Sequence, residues 1–447
     1  GDDSKSYYEI DRDFVGRYNS IDWSGWRRLW LQGRRFAKRL RFGENLSLLK
    51  RLLNLPIPAS VWSLGSFDFL KRDYLEDNSV EACDHPYIQT LIGRAVERKY
   101  RLSPDDEALL FAKLHEFMEN MAQFCGQRFG IELEIEPFVQ TWLRRLRPLW
   151  SIYESIGKRS RLPRLMLLSD LGNPFHRAVA YALRARNIEV VGFTHGHNPG
   201  FVVNRAVPHG QHSLCSHYYC PTERTAQYHR EILESSVMQR SKDTQFFSLE
   251  TTEYSDLWEQ YRDQALTFPL RSIMVVGSQL VPLRSMAGTG EFFIFKVDLE
   301  IRIVELLKRQ GYHVTYKPHP QYLAQSKGVF ENIADKIEPR PFEQVMLDYD
   351  AYVFTHPLTT PFGLSLCTSK PIALIDVEER DWEPKGYELL KRRCHMVPAR
   401  FSEATNMVQF DEQNLLGFLA LRPSEPNLDY LRLHMFPTAD SDNHLAS

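Results

Sequence analysis

The pattern of apolar and polar positions divides the chain into a helical opening and two stretches of strand–helix–strand character. Trp26, Trp30, Leu31, Phe36 and Leu40 recur at roughly helical spacing. Pro56 and Pro58 lead into Val61-Trp62-Ser63-Leu64, a strand running into a small-residue loop. Ser103-Pro104-Asp105-Asp106-Glu107 reads as a helix start: a serine cap, proline in the first turn and acids at the positive end of the dipole. That helix is expected to reach about Phe129, and a second opens at Pro137 with Trp142, Leu146 and Trp150. Residues 1–160 are thus expected to be mostly helical.

The period then changes. Arg164–Ser169 is a short apolar run, Pro174–Asn187 an amphipathic helix and Ile188–Phe193 a second run, together one βαβ unit of a parallel sheet. His217–Cys220 precedes a helix with Tyr228 and Ile232, and the polar Ser241–Thr252 reads as a linker. The second half repeats the grammar: strands at Ser272–Ser278, Tyr312–Tyr316, Ala351–Phe354 and Ile372–Ile375, and a helix at Asp298–Arg309 stopped by Gly311. The expected class is α/β: a helical segment at 1–160, a Rossmann-like half at 161–250, a second Rossmann-like domain at 251–420 and a tail at 421–447. A single doubly wound sheet is the structural alternative, for which the chain is long.

Composition agrees. A chain of 447 residues exceeds one ordinary core, and 43% apolar with 25% charged residues is a globular balance. Lys plus Arg number 55 against 57 Asp plus Glu, so no whole-protein attraction to nucleic acid is indicated. The six cysteines form no CxxC pair and read as reduced thiols in a cytoplasmic protein. A metal cluster of Cys215 and Cys220 with His212 and His217 is the alternative reading of two of these cysteines. No apolar run of about 18 residues is present, and no signal-peptide pattern opens the chain. Gly1 stands where a Met would, so further residues are expected upstream. Residues 23–53 are basic and aromatic: they suit either an anionic membrane surface or a helix packed on its own domain with solvated arginines.

Candidate chemistry gathers at strand ends. Tyr316-Lys317-Pro318-His319-Pro320 places a cation and an imidazole on a turn stiffened by two prolines. Thr359 and Thr360 place two hydroxyls at a helix start, where free N–H groups favour an anion. Gly277-Ser278-Gln279 offers backbone N–H groups, and Asp376, Glu378 and Glu379 follow the last of these strands, where Asp376 suits ribose hydroxyls. On the other half, Asp170 follows one apolar run and His195 the next, so both are expected at one sheet edge, as base or nucleophile on one hand and base or proton donor on the other. Gly288-Thr289-Gly290-Glu291 lacks the lysine and spacing of a P-loop. Asp348-Tyr349-Asp350 has the form of a metal-binding Asp-x-Asp, but it abuts a buried strand and reads as a sheet-edge turn; no metal is expected.

The Lys-Pro-His-Pro and Thr-Thr elements resemble the His-Pro and paired Ser/Thr motifs of bacterial sialyltransferases, and Thr194-His195-Gly196-His197 resembles the His-Gly motif of CDP-glycerol glycerophosphotransferases and Kdo-transferase relatives. The resemblance spans about residues 160–400 and implies the GT-B fold, two Rossmann-like domains facing a cleft. It implies that His319, Thr359 and Thr360 contact the nucleotide phosphate. The expected activity is transfer of an acidic sugar, Kdo or sialic-acid-like, from a CMP donor to a surface glycan or lipid-linked acceptor, without a cofactor and peripheral to the inner membrane. A CDP-glycerol glycerophosphotransferase, a sugar-nucleotide 2-epimerase and a non-catalytic nucleotide-sugar-binding subunit stay open.

Overall fold

A computed structural model describes residues 61–65, 69–78, 82–83, 88, 91–93, 95, 102–160, 162–169, 171–194, 201–203, 208–235, 243–264, 266–277, 293–319, 323–378 and 380–437. The basic segment at 23–53 and the glycine loop at 288–291 lie outside them.

The first sheet contains β1 (Val61–Leu64), β2 (Ala82–Cys83), β3 (Leu165–Leu168), β4 (Glu189–Phe193), β5 (His217–Cys220) and β6 (Gln245–Ser248), in the order β2-β1-β3-β4-β5-β6. β1 runs parallel to both β2 and β3, with Val61 opposite Leu165 and Leu64 opposite Leu168. Two sequence boundaries move as a result. The opening 160 residues supply two strands of this sheet, because the short run at Val61–Leu64 is fully buried and can pair on both sides. The stretch expected as a linker carries β6, paired with β5 from Gln245 to Ser248. Apolar residues alternate there (Phe246 buried, Gln245 and Phe247 exposed), which makes a half-covered edge strand of a segment that looks polar overall.

Helices of the first half are α1 (Phe69–Asp77), α2 (Pro104–Phe129), α3 (Glu136–Gly157), α4 (Pro174–Arg184) and α5 (Glu223–Ser235). Ser103 caps α2 as its sequence predicts, and Gly130 ends it in the left-handed conformation at φ 68°. α4 crosses between β3 and β4 and buries Val179, Ala180 and Leu183.

The second sheet contains β7 (Ser272–Val276), β8 (His313–Lys317), β9 (Lys336–Ile337), β10 (Ala351–Phe354), β11 (Ile372–Val377), β12 (His395–Ser402) and β13 (Met407–Phe410), ordered β13-β12-β11-β10-β7-β8-β9. Only the β12–β13 pair is antiparallel among the pairs described for this sheet. Its helices are α6 (Glu253–Tyr261), α7 (Phe293–Arg309), α8 (Leu323–Phe330), α9 (Thr360–Leu366), α10 (Pro384–Arg393), α11 (Glu412–Ala420) and α12 (Asp429–His434). Val275, Val314, Val353, Ile375 and Val397 from five strands pack with Ile303 of α7 in one core. Asp350 accepts from the N–H groups of Arg271 and Ser272 at 2.8 and 2.9 Å, which closes the sheet edge before β7. Two Rossmann-like parallel sheets in one chain make the α/β plan of the GT-B type.

The chain forms two compact units, residues 1–66, 78–191 and 214–216 in one and 67–77, 192–213 and 217–447 in the other. The stretch expected as a tail belongs to the core of the second: Tyr430, Leu431 and His434 of α12 are fully buried, and the His434 carbonyl accepts from the hydroxyls of Thr222 and Thr225, each at 3.1 Å.

Burial dictates a pH response. The His434 imidazole has no hydrogen-bond partner at either ring nitrogen among the described residues. Desolvation, then the nearby charges of Arg224 and Lys385, push its pKa down to about 3, and burial does the same to His229. Protonation is therefore confined to the unfolded chain below its ordinary value of about 6.5, so stability present above that pH is lost as pH falls toward 3, at about 1.4 kcal/mol per pH unit per histidine. Urea midpoints should drop between pH 7 and pH 5, and His434→Leu should show a smaller drop; an equal drop would mean that His434 already titrates freely when folded.

Candidate functional site

The order of the second sheet reverses at β7. From β7 the chain adds β8 and β9 on one side, then returns to add β10, β11 and β12 on the other. In open parallel sheets ligands bind outside the carboxyl ends of strands at such a reversal. Here those ends are Gly277 after β7, Lys317 at the end of β8 and Thr355 after β10.

One buried carboxyl ties the three together. Glu300, on α7 and fully buried, accepts from the Tyr316 hydroxyl at 2.7 Å and the Thr355 hydroxyl at 2.8 Å. Tyr316 stacks on Phe330 with ring centroids 3.7 Å apart, and burial together with the Glu300 charge holds its phenol well above the usual range. A Cβ added to Gly277 would lie 2.1 Å from the Tyr316 hydroxyl oxygen, so glycine is required by close approach. The sequence offers the Gly277 N–H to a phosphate, but the sheet takes it: it donates to the Lys317 carbonyl at 3.0 Å. Glu300 escapes a motif-based reading, yet it had a signal. With Ile303, Val304 and Leu307 it shares the buried face of α7 at i, i+3, i+4 and i+7, where an acid needs donors.

Lys317 is 2% exposed, and its ammonium donates to one acceptor among the described residues, the Pro318 carbonyl at 3.1 Å. Desolvation lowers its pKa; the charges of Glu338 and Glu343 only partly oppose this. An ammonium carries three N–H donors, and one of this one's is accounted for among the described residues. His319 follows on the turn, half-buried, and Ser278 lies outside the described residues.

At the β10 end, Thr359 caps α9 by accepting from the Phe362 N–H at 3.3 Å, which leaves its hydroxyl hydrogen available to a ligand. Thr360 is the first residue of α9 and half-buried. The other end of α9 is held by Arg393, a residue without motif signal. Its buried guanidinium donates to the carbonyls of Ser365, Leu366 and Thr368 at 3.2, 3.1 and 2.6 Å.

Asp376 has partners of its own. Its carboxylate accepts from the Trp382 indole N–H at 2.8 Å and from the Tyr387 hydroxyl. The oxygens expected for ribose are thus engaged in fixing 381–383, and that stretch binds another segment: Val202 bridges Trp382, the Val203 N–H donates to the Asp381 carbonyl at 2.7 Å and the Glu383 N–H to the Phe201 carbonyl at 3.1 Å.

Asp170 and His195 lie outside the described residues. Their strands, β3 and β4, are neighbours in the first sheet. The cap of α4 is Asn173, which accepts from the N–H groups of Phe175 and His176, so the capping role beside Asp170 is already filled.

No protein-family model matches the sequence, and no curated protein matches it. Solved structures similar to it include a protein assigned as UDP-N-acetylglucosamine 2-epimerase from Listeria monocytogenes, at 13% identity and TM-score 0.36 over 84% of this chain and 94% of that one. Phytolacca americana UGT2, complexed with UDP-2-fluoro-glucose and pterostilbene, is similar at 10% identity and TM-score 0.36 over 68% and 76% of the two chains. Acinetobacter baumannii MurG is similar at 11% identity and TM-score 0.29 over 76% and 95%. These likenesses are of outline, and the functional reading rests on this chain's own residues.

Gly277→Ala should cost about 1–3 kcal/mol through overpacking on Tyr316. Tyr316→Phe should cost about 1–2 kcal/mol by removing one donor from the buried Glu300 carboxyl. Urea unfolding of both variants checks this, and wild-type stability in Gly277→Ala would show that the approach of Tyr316 is not tight.

Proposed function

We propose that the chain is a glycosyltransferase that binds a nucleotide-linked sugar, CMP-linked by preference, at the carboxyl edge of the second sheet and passes an acidic sugar to a surface glycan or lipid-linked acceptor. Lys317 carries this reading: a buried ammonium at the sheet's reversal with one acceptor among the described residues, an imidazole two residues on and threonine hydroxyls at the neighbouring strand end. An anion would complete its hydrogen bonding. A departing nucleotide gains phosphate charge as the glycosidic bond breaks, so a low-dielectric cation there stabilises the transition state more than the ground state. His319 and the hydroxyls of Thr359 and Thr360 would supply the remaining donors.

In this reading Asp170 and His195 serve the acceptor. A carboxylate takes the proton from the attacking hydroxyl or attacks the anomeric carbon itself, and the imidazole acts as base or orients the leaving group. The membrane role of residues 23–53 belongs to the same proposal.

Lys317→Met separates a ligand role from a structural one. Removing a poorly paired buried ammonium should leave the ligand-free melting temperature unchanged or raised. Affinity for CMP, measured by calorimetry with and without a chelator, should fall about tenfold or more, which is about 1.4 kcal/mol. A lowered melting temperature with unchanged CMP affinity would make Lys317 structural. Failure of every cytidine, uridine and guanosine nucleotide to bind the wild type would remove the proposal.

A further inference from the structure

α2 and α3 form an antiparallel hairpin whose small core is Met118, Val139 and Leu143. Beside that core, Phe117, Met121 and Phe124 stay 57, 42 and 58% exposed on α2, and Phe138 and Trp142 stay 48 and 46% exposed on α3. The spacings i, i+4, i+7 and i, i+4 make two stripes. Both stripes are displaced the same way from the shared core once the opposite direction of α3 is taken into account, so they form one face of the hairpin.

The α2 stripe is symmetric about Phe117. Asp106, Leu110, Lys113, Phe117, Met121, Phe124 and Arg128 follow steps of four, three and four residues, then four, three and four again. An eleven-residue repeat of this kind stays on one side of a nearly straight helix. Laid antiparallel against an identical stripe with Phe117 at the centre, it sets Leu110 opposite Phe124, Lys113 opposite Met121 and Asp106 opposite Arg128. The two outermost positions are then ion pairs of opposite sign on both sides of a two-fold axis.

We propose that this face is a homodimer interface, two hairpins meeting as a four-helix assembly about an axis at Phe117. Isologous contacts demand a self-complementary surface, and the palindromic order of the stripe supplies one. The five half-exposed apolar side chains amount to on the order of 500 Å² per copy, the larger part of the roughly 800 Å² per partner of a standard interface. An anionic lipid surface fits less well. The hairpin's tip carries exposed Glu132, Glu134 and Glu136 against Arg128 alone, which anionic headgroups would repel.

Sedimentation of this chain over a micromolar concentration series should show twice the monomer mass, and Phe117→Asp/Phe124→Asp should halve it at an unchanged melting temperature. Phe117→Cys tests the axis without relying on that variant's folding. A short bis-maleimide should join two copies through Cys at 117, identified by mass spectrometry of the linked peptide, whereas Glu119→Cys on the opposite side of α2 should not join. Asp106→Arg and Arg128→Asp should each weaken the dimer and together restore it. A monomer at every concentration overturns the proposal, as does equal linking at 119. A dimer that appears only after removal of residues 1–60 would assign the face to the chain's own opening segment. Vesicle binding lost in the double variant without any dimer would assign it to lipid.

Discussion

A buried carboxyl shared by two strands is the constraint on which the edge of the second sheet depends. Glu300 lies in an apolar helix layer, where an acid without donors costs several kcal/mol. Its donors are Tyr316 on β8 and Thr355 just past β10, the strands that flank β7. The network therefore spans the position where strand order reverses. It fixes the depth of the Tyr316 ring, and the ring then excludes any side chain from residue 277. The loops that carry Lys317, His319 and the two threonines all leave from points set by this contact.

Two of the buried cations of this region, Arg393 and Lys317, differ in their partners. Arg393 faces carbonyls from the end of α9 and the turn beyond it, and its planar fork is used up in closing that end of the helix. Among the described residues Lys317 meets a single carbonyl, and the charges of Glu338 and Glu343 act on it through space. Burial costs both groups, and the arginine offsets that cost with the three carbonyls it meets.

Much of the α/β plan was legible because period and punctuation agreed. Ser103 capped its helix, Pro174 opened another, and runs such as Ala351–Phe354 became strands with the expected ends. What stayed hidden was long-range. β6 has only Phe246 on its buried side, and β12 interleaves exposed Pro398 and Arg400 with buried Val397 and Ala399, so neither resembles a buried strand locally. Residues at the carboxyl edge of the second sheet were legible by type, but their contacts were not. Gly277 looked like a loop donor, and only the position of Tyr316, nearly forty residues on, shows that it is a spacer. Asp376 looked free for ribose because nothing in its neighbourhood announces that Trp382 and Tyr387 turn back to it.

That last contact extends to residues 201–203. By holding Trp382, Asp376 fixes a strand-like bridge to Val202, and Phe201 beside it stacks on Tyr430 with centroids 5.3 Å apart and meets the edge of Phe362 at 5.2 Å. On the other flank of the His-Gly turn, the Thr194 N–H donates to the Tyr219 carbonyl at 3.0 Å, continuing the sheet past β4. Both flanks of the turn are thus pinned, one by the first sheet and one by the end of β11 together with α9 and α12. Phe362 lies on the helix that Thr359 caps, so the Phe201 flank is referred to the element that positions Thr359 and Thr360. Asp376 thereby acts as an anchor: freeing its carboxylate would loosen the 381–383 stretch that holds Phe201, Val202 and Val203.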